Sequence, residues 1–180
     1  MTVMPRDHEW TVADLADTPD DGLRYELVDG VLLVSAAPSQ VHQIVVGQLH
    51  LLLHAAVPPD CRVMLAPTDF QPTLRRSLQP DLLVVRRCDL GGTAITEPLV
   101  LAVEVLSPST RSVDLLLKRG IYAESSVGAY WVVDPLEPSV QSWWLADGEW
   151  LDAGRALGDE VRALTTPFPV RVQPSALLDD

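Results

Sequence analysis

Apolar and polar positions change period several times along the chain. EWTVADLADTPDDG (9–22) offers a short helix over 12–17, with Thr11 as its N-cap and Thr18-Pro19-Asp20-Asp21-Gly22 as its stop. In RYELVDGVLLVS (24–35) two apolar runs flank Asp29-Gly30, the composition of a type I′ hairpin. Ala37-Pro38-Ser39 breaks the second run. Ser39 is placed to cap a helix over roughly 40–56, where Val41, Ile44, Val45, Leu49, Leu52 and Leu53 recur at helical spacing. Pro58-Pro59 closes it.

The pattern then turns extended. RVMLAPTDFQP (62–72) reads as strand, turn and short strand, and QPDLLVV (79–85) as a strand opened by Pro80. A loop over 88–98 holds Gly91-Gly92. LVLAVEVL (99–106) has the composition of a strand buried on both faces. A turn over Ser107-Pro108-Ser109-Thr110 leads to a helix from about Arg111 to Ser126. Its core stripe is predicted as Val113, Leu116, Leu117, Gly120 and Ile121, with Asp114, Lys118, Tyr122 and Ser125 on an adjoining face. Gly128 stands where a helix-ending glycine is expected. AYWVVDP (129–135) is a strand, VQSWWLADGEWLDAG (140–154) a hairpin about Asp147-Gly148, and the tail from Asp159 two or three short extended pieces. No internal repeat or low-complexity tract interrupts this order. It predicts an α/β (α+β) fold, a mixed sheet with helices packed on it, as one domain over 1–180.

Composition narrows the class. With 180 residues, 47% hydrophobic residues and mean hydropathy of +0.15, the chain is expected to be globular with a substantial core. No apolar run approaches the roughly 20 residues of a membrane span, and MTVMPRDHEW lacks the apolar stretch of a signal peptide. Cys61 and Cys88 show neither disulfide nor ligand spacing and fit a reducing cytoplasm as small buried residues. The net charge of −12 argues against tight non-specific DNA binding without excluding a local basic patch. Lys118 is the single lysine among thirteen basic residues.

Two acidic residues interrupt apolar strands: Asp81 at the start of DLLVV and Glu104 inside LAVEVL. A carboxylate in a dry strand is costly unless paired, hydrogen-bonded or bound to a cation. If the two strands are neighbours, both carboxylates project at one end of the sheet. Two close carboxylates raise each other's pKa unless a cation lies between them. Mg²⁺ fits, since it takes one or two carboxylates and keeps several waters. Lys118, on the helix that follows, could reach the same end and orient a water or neutralise charge on phosphate. The plainer alternatives are that Asp81 caps a strand end, that Glu104 pairs with an arginine, and that Asp114 and Lys118 form an ordinary i,i+4 pair.

The ordered set Pro80-Asp81, AVEVLSPST (102–110), Asp114, Lys118, Tyr122 and YWVVDP (130–135) resembles the Uma2 family (DUF820) of restriction-endonuclease-like proteins, in the PD-(D/E)XK nuclease superfamily. WTVADL and RYELVDGVLLVSAAPSQVHQ extend the resemblance over nearly the whole chain. It implies a restriction-endonuclease-like core, a mixed central sheet flanked by helices with extra N- and C-terminal hairpins. It also implies a Mg²⁺-dependent endonuclease acting on DNA, with Mn²⁺ able to substitute. Asp81, Glu104 and the main-chain carbonyl of Val105 would hold the metal, and Lys118 would assist the attacking water. The lysine expected two residues after Glu104 is absent, since Leu106 stands there, and Lys118 is the match one helix later. Glu26 and His42 also match recurrent family positions. Glu26 either supports the metal site or is an exposed hairpin residue; His42 either supports it or is a polar residue at a helix start.

Other signals carry less. His50 and His54 are spaced i,i+4 but lack the Glu of a zinc-protease motif. Trp143, Trp144 and Trp150 suit core packing or a dimer interface more than base stacking. Arg75-Arg76 and Arg86-Arg87 are the candidates for a phosphate-facing patch. A catalytically weak nuclease-fold binding or assembly module, and a homodimer formed through the tryptophan hairpin, complete the expectations.

Overall fold

The protein is described from a computed structural model, which covers residues 9–108 and 111–179 and the backbone of 2–4. The strands and helices are β1 (Thr2–Met4), β2 (Arg24–Val28), β3 (Val31–Ser35), α1 (Gln40–Ala56), β4 (Cys61–Leu65), β5 (Phe70–Thr73), β6 (Arg76–Leu78), β7 (Leu82–Arg86), β8 (Leu101–Val105), α2 (Arg119–Glu124), β9 (Ala129–Asp134), β10 (Ser139–Ala146), β11 (Glu149–Leu157), β12 (Arg162–Leu164) and β13 (Val170–Val172). The described residues contain no helix long and apolar enough to cross a membrane.

The central sheet has six strands in the order β11-β10-β9-β8-β7-β4. It is mixed: β8 and β9 run parallel, and the other neighbours are antiparallel. One face packs on α1 and the C-terminal pieces, with Val45, Leu49 and Leu53 meeting Leu82, Val103, Trp131 and Phe168. The opposite face packs on α2 and a second sheet of order β1-β3-β2-β6-β5, with Ala102, Tyr130 and Val132 meeting Ile121, Tyr122, Leu33 and Phe70. Both faces of β8 are therefore buried, as its composition predicts.

The two Asp-Gly hairpins form where the sequence places them. Asp29 and Asp147 take φ of 49° and 51°, each followed by a glycine of positive φ. Ser39 caps α1 by accepting the His42 N–H at 3.2 Å. The opening helix over Val12–Asp17 is 3₁₀ rather than α, with Asp14 accepting from the Thr11 N–H at 2.8 Å. β6 has no counterpart in the sequence reading, because Arg76–Leu78 is too short to show a period.

Several side chains point elsewhere than predicted. On α1 the buried face is His42, Val45, Val46, Leu49 and Leu53, while Val41 and Ile44 are exposed. After β8 the chain forms a π-helical turn over Val113–Lys118 before α2. The inward face there is Asp114, Lys118, Ile121 and Tyr122, and Leu116 and Leu117 face solvent. Of the predicted stripe, Ile121 is buried and Val113 partly so, and the face that turns inward beside them is the adjoining one of Asp114, Lys118 and Tyr122. The left-handed residue after α2 is Ser126, at φ 57°, not Gly128. Gly128 serves close packing instead, since a Cβ there would sit 3.1 Å from the Val100 carbonyl oxygen. Cys61 is buried, but Cys88 is exposed. The Ser109-Thr110 half of the expected turn lies outside the described residues.

Candidate active site

β7 and β8 are antiparallel neighbours, with Leu82 opposite Val103 and Leu83 opposite Ala102. The same register carried one residue further sets Asp81 across from Glu104, and directly opposed residues share a face. Both carboxylates are 2% exposed. They line one cavity of about 260 Å³ together with Arg24, Glu26, His42, Val105, Asp114 and Lys118. β2 contributes Arg24 and Glu26, whose i,i+2 spacing puts them on one side of that strand. α1 contributes His42, and the π-helical turn contributes Asp114 and Lys118.

Asp81 is held by three donors. Arg24 Nη1 lies 3.0 Å from Oδ1, and Oδ2 accepts from His42 Nε2 at 3.0 Å and from the Val105 N–H at 2.8 Å. Burial works to raise the Asp81 pKa, but the His42 hydrogen bond, the Arg24 charge and the Val105 N–H outweigh it and hold it below the usual carboxylate value.

Glu104 has a different environment. Its Oε1 accepts from Lys118 Nζ at 3.0 Å and from the Tyr122 hydroxyl at 2.7 Å. Burial pushes its pKa well above the ordinary value, Lys118 opposes this, and the neighbouring Asp114, Asp81 and Glu26 reinforce it. Lys118 also contacts Glu26 Oε1 at 2.9 Å and Asp114 Oδ1 at 3.5 Å. Burial alone would lower its pKa, yet the carboxylates led by Glu104 hold it well above the ordinary lysine value. Lys118 is thus an ammonium throughout the neutral range. Tyr122, raised well above its ordinary value by burial and by Glu104, stays a phenol and a donor.

The plainer readings fare unevenly. Glu104 pairs with Lys118 and, among the described residues, not with an arginine. Asp114 and Lys118 do form an i,i+4 pair, but a buried one within a larger cluster. Glu26 is buried against Lys118 rather than exposed on its hairpin. His42, on the core face of α1, has no partner for Nδ1 among the described residues.

The chemistry of these donors fits a hard divalent cation. Four carboxylates (Glu26, Asp81, Glu104 and Asp114) share the cavity with two fixed cations, Arg24 and Lys118. Four carboxylates against Arg24 and Lys118 leave two negative charges in formal excess, which one divalent cation or added protons would neutralise. Burial raises the pKa of Glu104 first, and the neighbouring carboxylates add to it. Among the described residues no three His, Cys, Asp or Glu side chains converge as a ready-made ligand set. Mg²⁺, which keeps most of its waters and takes one or two carboxylates, does not need one.

Against known proteins, the family model Uma2, described as "Putative restriction endonuclease", matches residues 9–177. The chain belongs to the Uma2 family. A solved structure, that of "a putative nuclease belonging to DUF820" from Anabaena variabilis ATCC 29413, is similar to this chain at 15% identity with a TM-score of 0.74. The similarity covers 94% of this chain and 97% of that one, and it establishes a shared fold. No curated protein matches. Asp81, Glu104, Asp114, Lys118 and Tyr122, the residues on which the sequence resemblance was drawn, surround one cavity or touch a residue that does.

One participant was not picked out from sequence alone. Arg24 gave a usable signal, since it shares a strand face with Glu26. Tyr122 was placed on the face of Asp114 and Lys118, and its hydrogen bond to Glu104 is what the structure adds.

The remaining candidates are taken up elsewhere. Trp143 stacks on Tyr130 with ring centroids 5.8 Å apart, and Trp150 donates to the Arg119 carbonyl at 2.8 Å. Both fasten the C-terminal hairpin to the body. Arg75 pairs with Glu9, Arg76 with Asp29 and Glu124, and Arg87 with the Pro59 carbonyl. His50 and His54 stack on each other at 5.7 Å.

Proposed function

We propose that the protein is a Mg²⁺-dependent endonuclease that hydrolyses phosphodiester bonds in DNA. The observation that carries this reading is the meeting of Asp81 and Glu104 at the paired ends of β7 and β8, with the chain's only lysine against Glu104. Asp81, Glu104 and the Val105 carbonyl would hold the cation. When bound, such a cation polarises a phosphoryl oxygen and lowers the pKa of a coordinated water.

The protein groups have separable tasks. Lys118 and Tyr122 both take Glu104 Oε1, which fixes the carboxylate and leaves Oε2 without a partner among the described residues. Lys118 cannot serve as a base, because its pKa is raised. It serves as a donor and a fixed positive charge. Its longest contact, 3.5 Å to Asp114, is the one most readily exchanged for a water. His42 and the Val105 N–H both bond Asp81 Oδ2 and so keep that carboxylate ionised and oriented.

The test is cleavage of duplex DNA in Mg²⁺ or Mn²⁺. Wild type is expected to cut, and Glu104→Gln and Lys118→Ala to lose on the order of a hundredfold or more in rate. Equal activity in all three proteins would mark a contaminating nuclease and remove the reading. One observation favours a second reading, a nuclease-fold binding or assembly module. Asp81 and Lys118 already have three protein partners each, so these two residues are held without substrate. DNA binding without cleavage in any divalent metal would favour it.

A further inference from the structure

Hydrolysis in DNA brings a polyanion to a cavity with an excess of negative charge, in a protein of net charge −12. Some cation must receive the backbone phosphate. The paired arginines at 75–76 and 86–87 do not line this cavity. Geometry speaks against Lys118 as the receiver: its side chain is 2% exposed, and three carboxylates surround its ammonium.

Arg24 differs on each point. Its side chain is 21% exposed, tenfold more than that of Lys118. Only Nη1 is engaged among the described residues, to Asp81 Oδ1 at 3.0 Å and the Gln79 carbonyl at 3.3 Å. A guanidinium carries five N–H donors in a rigid fork, so its Nε and Nη2 side remains available. That edge suits bidentate binding of phosphate oxygens. Arg24, His42 and Asp81 are also the shared wall between the main cavity and a second one of about 150 Å³, lined further by Gln43, Gly47 and Leu65. A strand crossing from one cavity to the other passes the guanidinium.

We propose that Arg24 binds a backbone phosphate of DNA through its Nε and Nη2 donors while Nη1 holds Asp81. The inference rests on the nuclease reading for its ligand, but it is tested on binding alone. The probe is a fluorescent DNA duplex in Ca²⁺, a hard cation that accepts oxygen ligands in looser geometry than Mg²⁺. Affinity is followed against salt, with intact duplex verified on a gel.

Each phosphate contact contributes about 0.9 to the slope of log affinity against log salt. Arg24→Gln is therefore expected to make the slope shallower by about 0.9 and to weaken binding roughly tenfold. Arg24→Lys, which keeps the charge and loses the fork, is expected to keep the slope and bind several-fold more weakly. A purely structural role, holding Asp81, would change Mn²⁺ affinity and leave the salt slope unmoved. An unchanged slope in Arg24→Gln overturns the proposal, as does failure of wild type to bind duplex. If Arg24→Gln does not fold, equal affinity of Arg24→Lys and wild type overturns it. Binding with an Arg24-dependent slope but no cleavage in Mg²⁺ or Mn²⁺ would sink the nuclease reading and leave Arg24 in its role.

Discussion

Glu104 holds the sharpest conflict at the residue scale. It is a fully buried carboxylate whose pKa is raised well above 4.5, first by burial and then by three neighbouring acids against one lysine. The consequence for stability has a definite sign. The folded state binds more protons than the unfolded one between the ordinary pKa and the raised one, so stability falls as pH rises through that window. In EDTA, the melting temperature of wild type is expected to decline as pH rises from about 4.5 toward neutral, and Glu104→Gln to flatten the decline. An identical pH profile for the two proteins would show that Glu104 is not the strained group. Asp81 acts in the opposite sense, since its lowered pKa costs stability only as pH falls below 3.8. Lys118→Ala strands three buried carboxylates, and its expected cost in metal-free protein is about 3–5 kcal/mol by chemical denaturation.

At the scale of elements, the sequence reading did well where local chemistry decides. The Asp-Gly hairpins, the Ser39 cap of α1 and the doubly buried β8 follow from turn geometry, capping and composition. It did less well where tertiary contacts decide. Helical spacing on α1 selects Val41 and Ile44, but His42 takes the inward position because Asp81 lies there to bond it. Leu116 and Leu117 attract the same assignment after β8, yet ion pairs with Glu26 and Glu104 carry Lys118 inward instead. A hydrophobicity pattern cannot register a buried face made of charges. The glycine assignment failed similarly, and it gives a paired test by thermal melting. Ser126→Gly relieves a left-handed non-glycine residue and is expected to stabilise by up to ~1 kcal/mol. Gly128→Ala presses a methyl on the Val100 carbonyl and is expected to destabilise by roughly 1–3 kcal/mol. Opposite signs would contradict this account of the turn.

At the scale of the molecule, three separate parts of the chain converge on one cavity. β2, α1 and the β7–β8 pair with its following π-helical turn all contribute to it, and none is complete alone. The acidic half of the site was legible in the sequence because carboxylates inside apolar strands stand out. Lys118, His42 and Tyr122 were named through the family resemblance, but Arg24 was not, because it looks ordinary until the sheets are stacked. The most direct measurement is calorimetric titration of the apo protein with Mn²⁺ at neutral pH, which needs no knowledge of substrate. Wild type is expected to bind and to release protons, with the observed heat depending on the buffer. Glu104→Gln and Asp81→Asn are each expected to bind at least about tenfold more weakly. Absence of binding by wild type, or unchanged affinity in both variants, would contradict the assignment of Asp81 and Glu104 as a divalent-cation site.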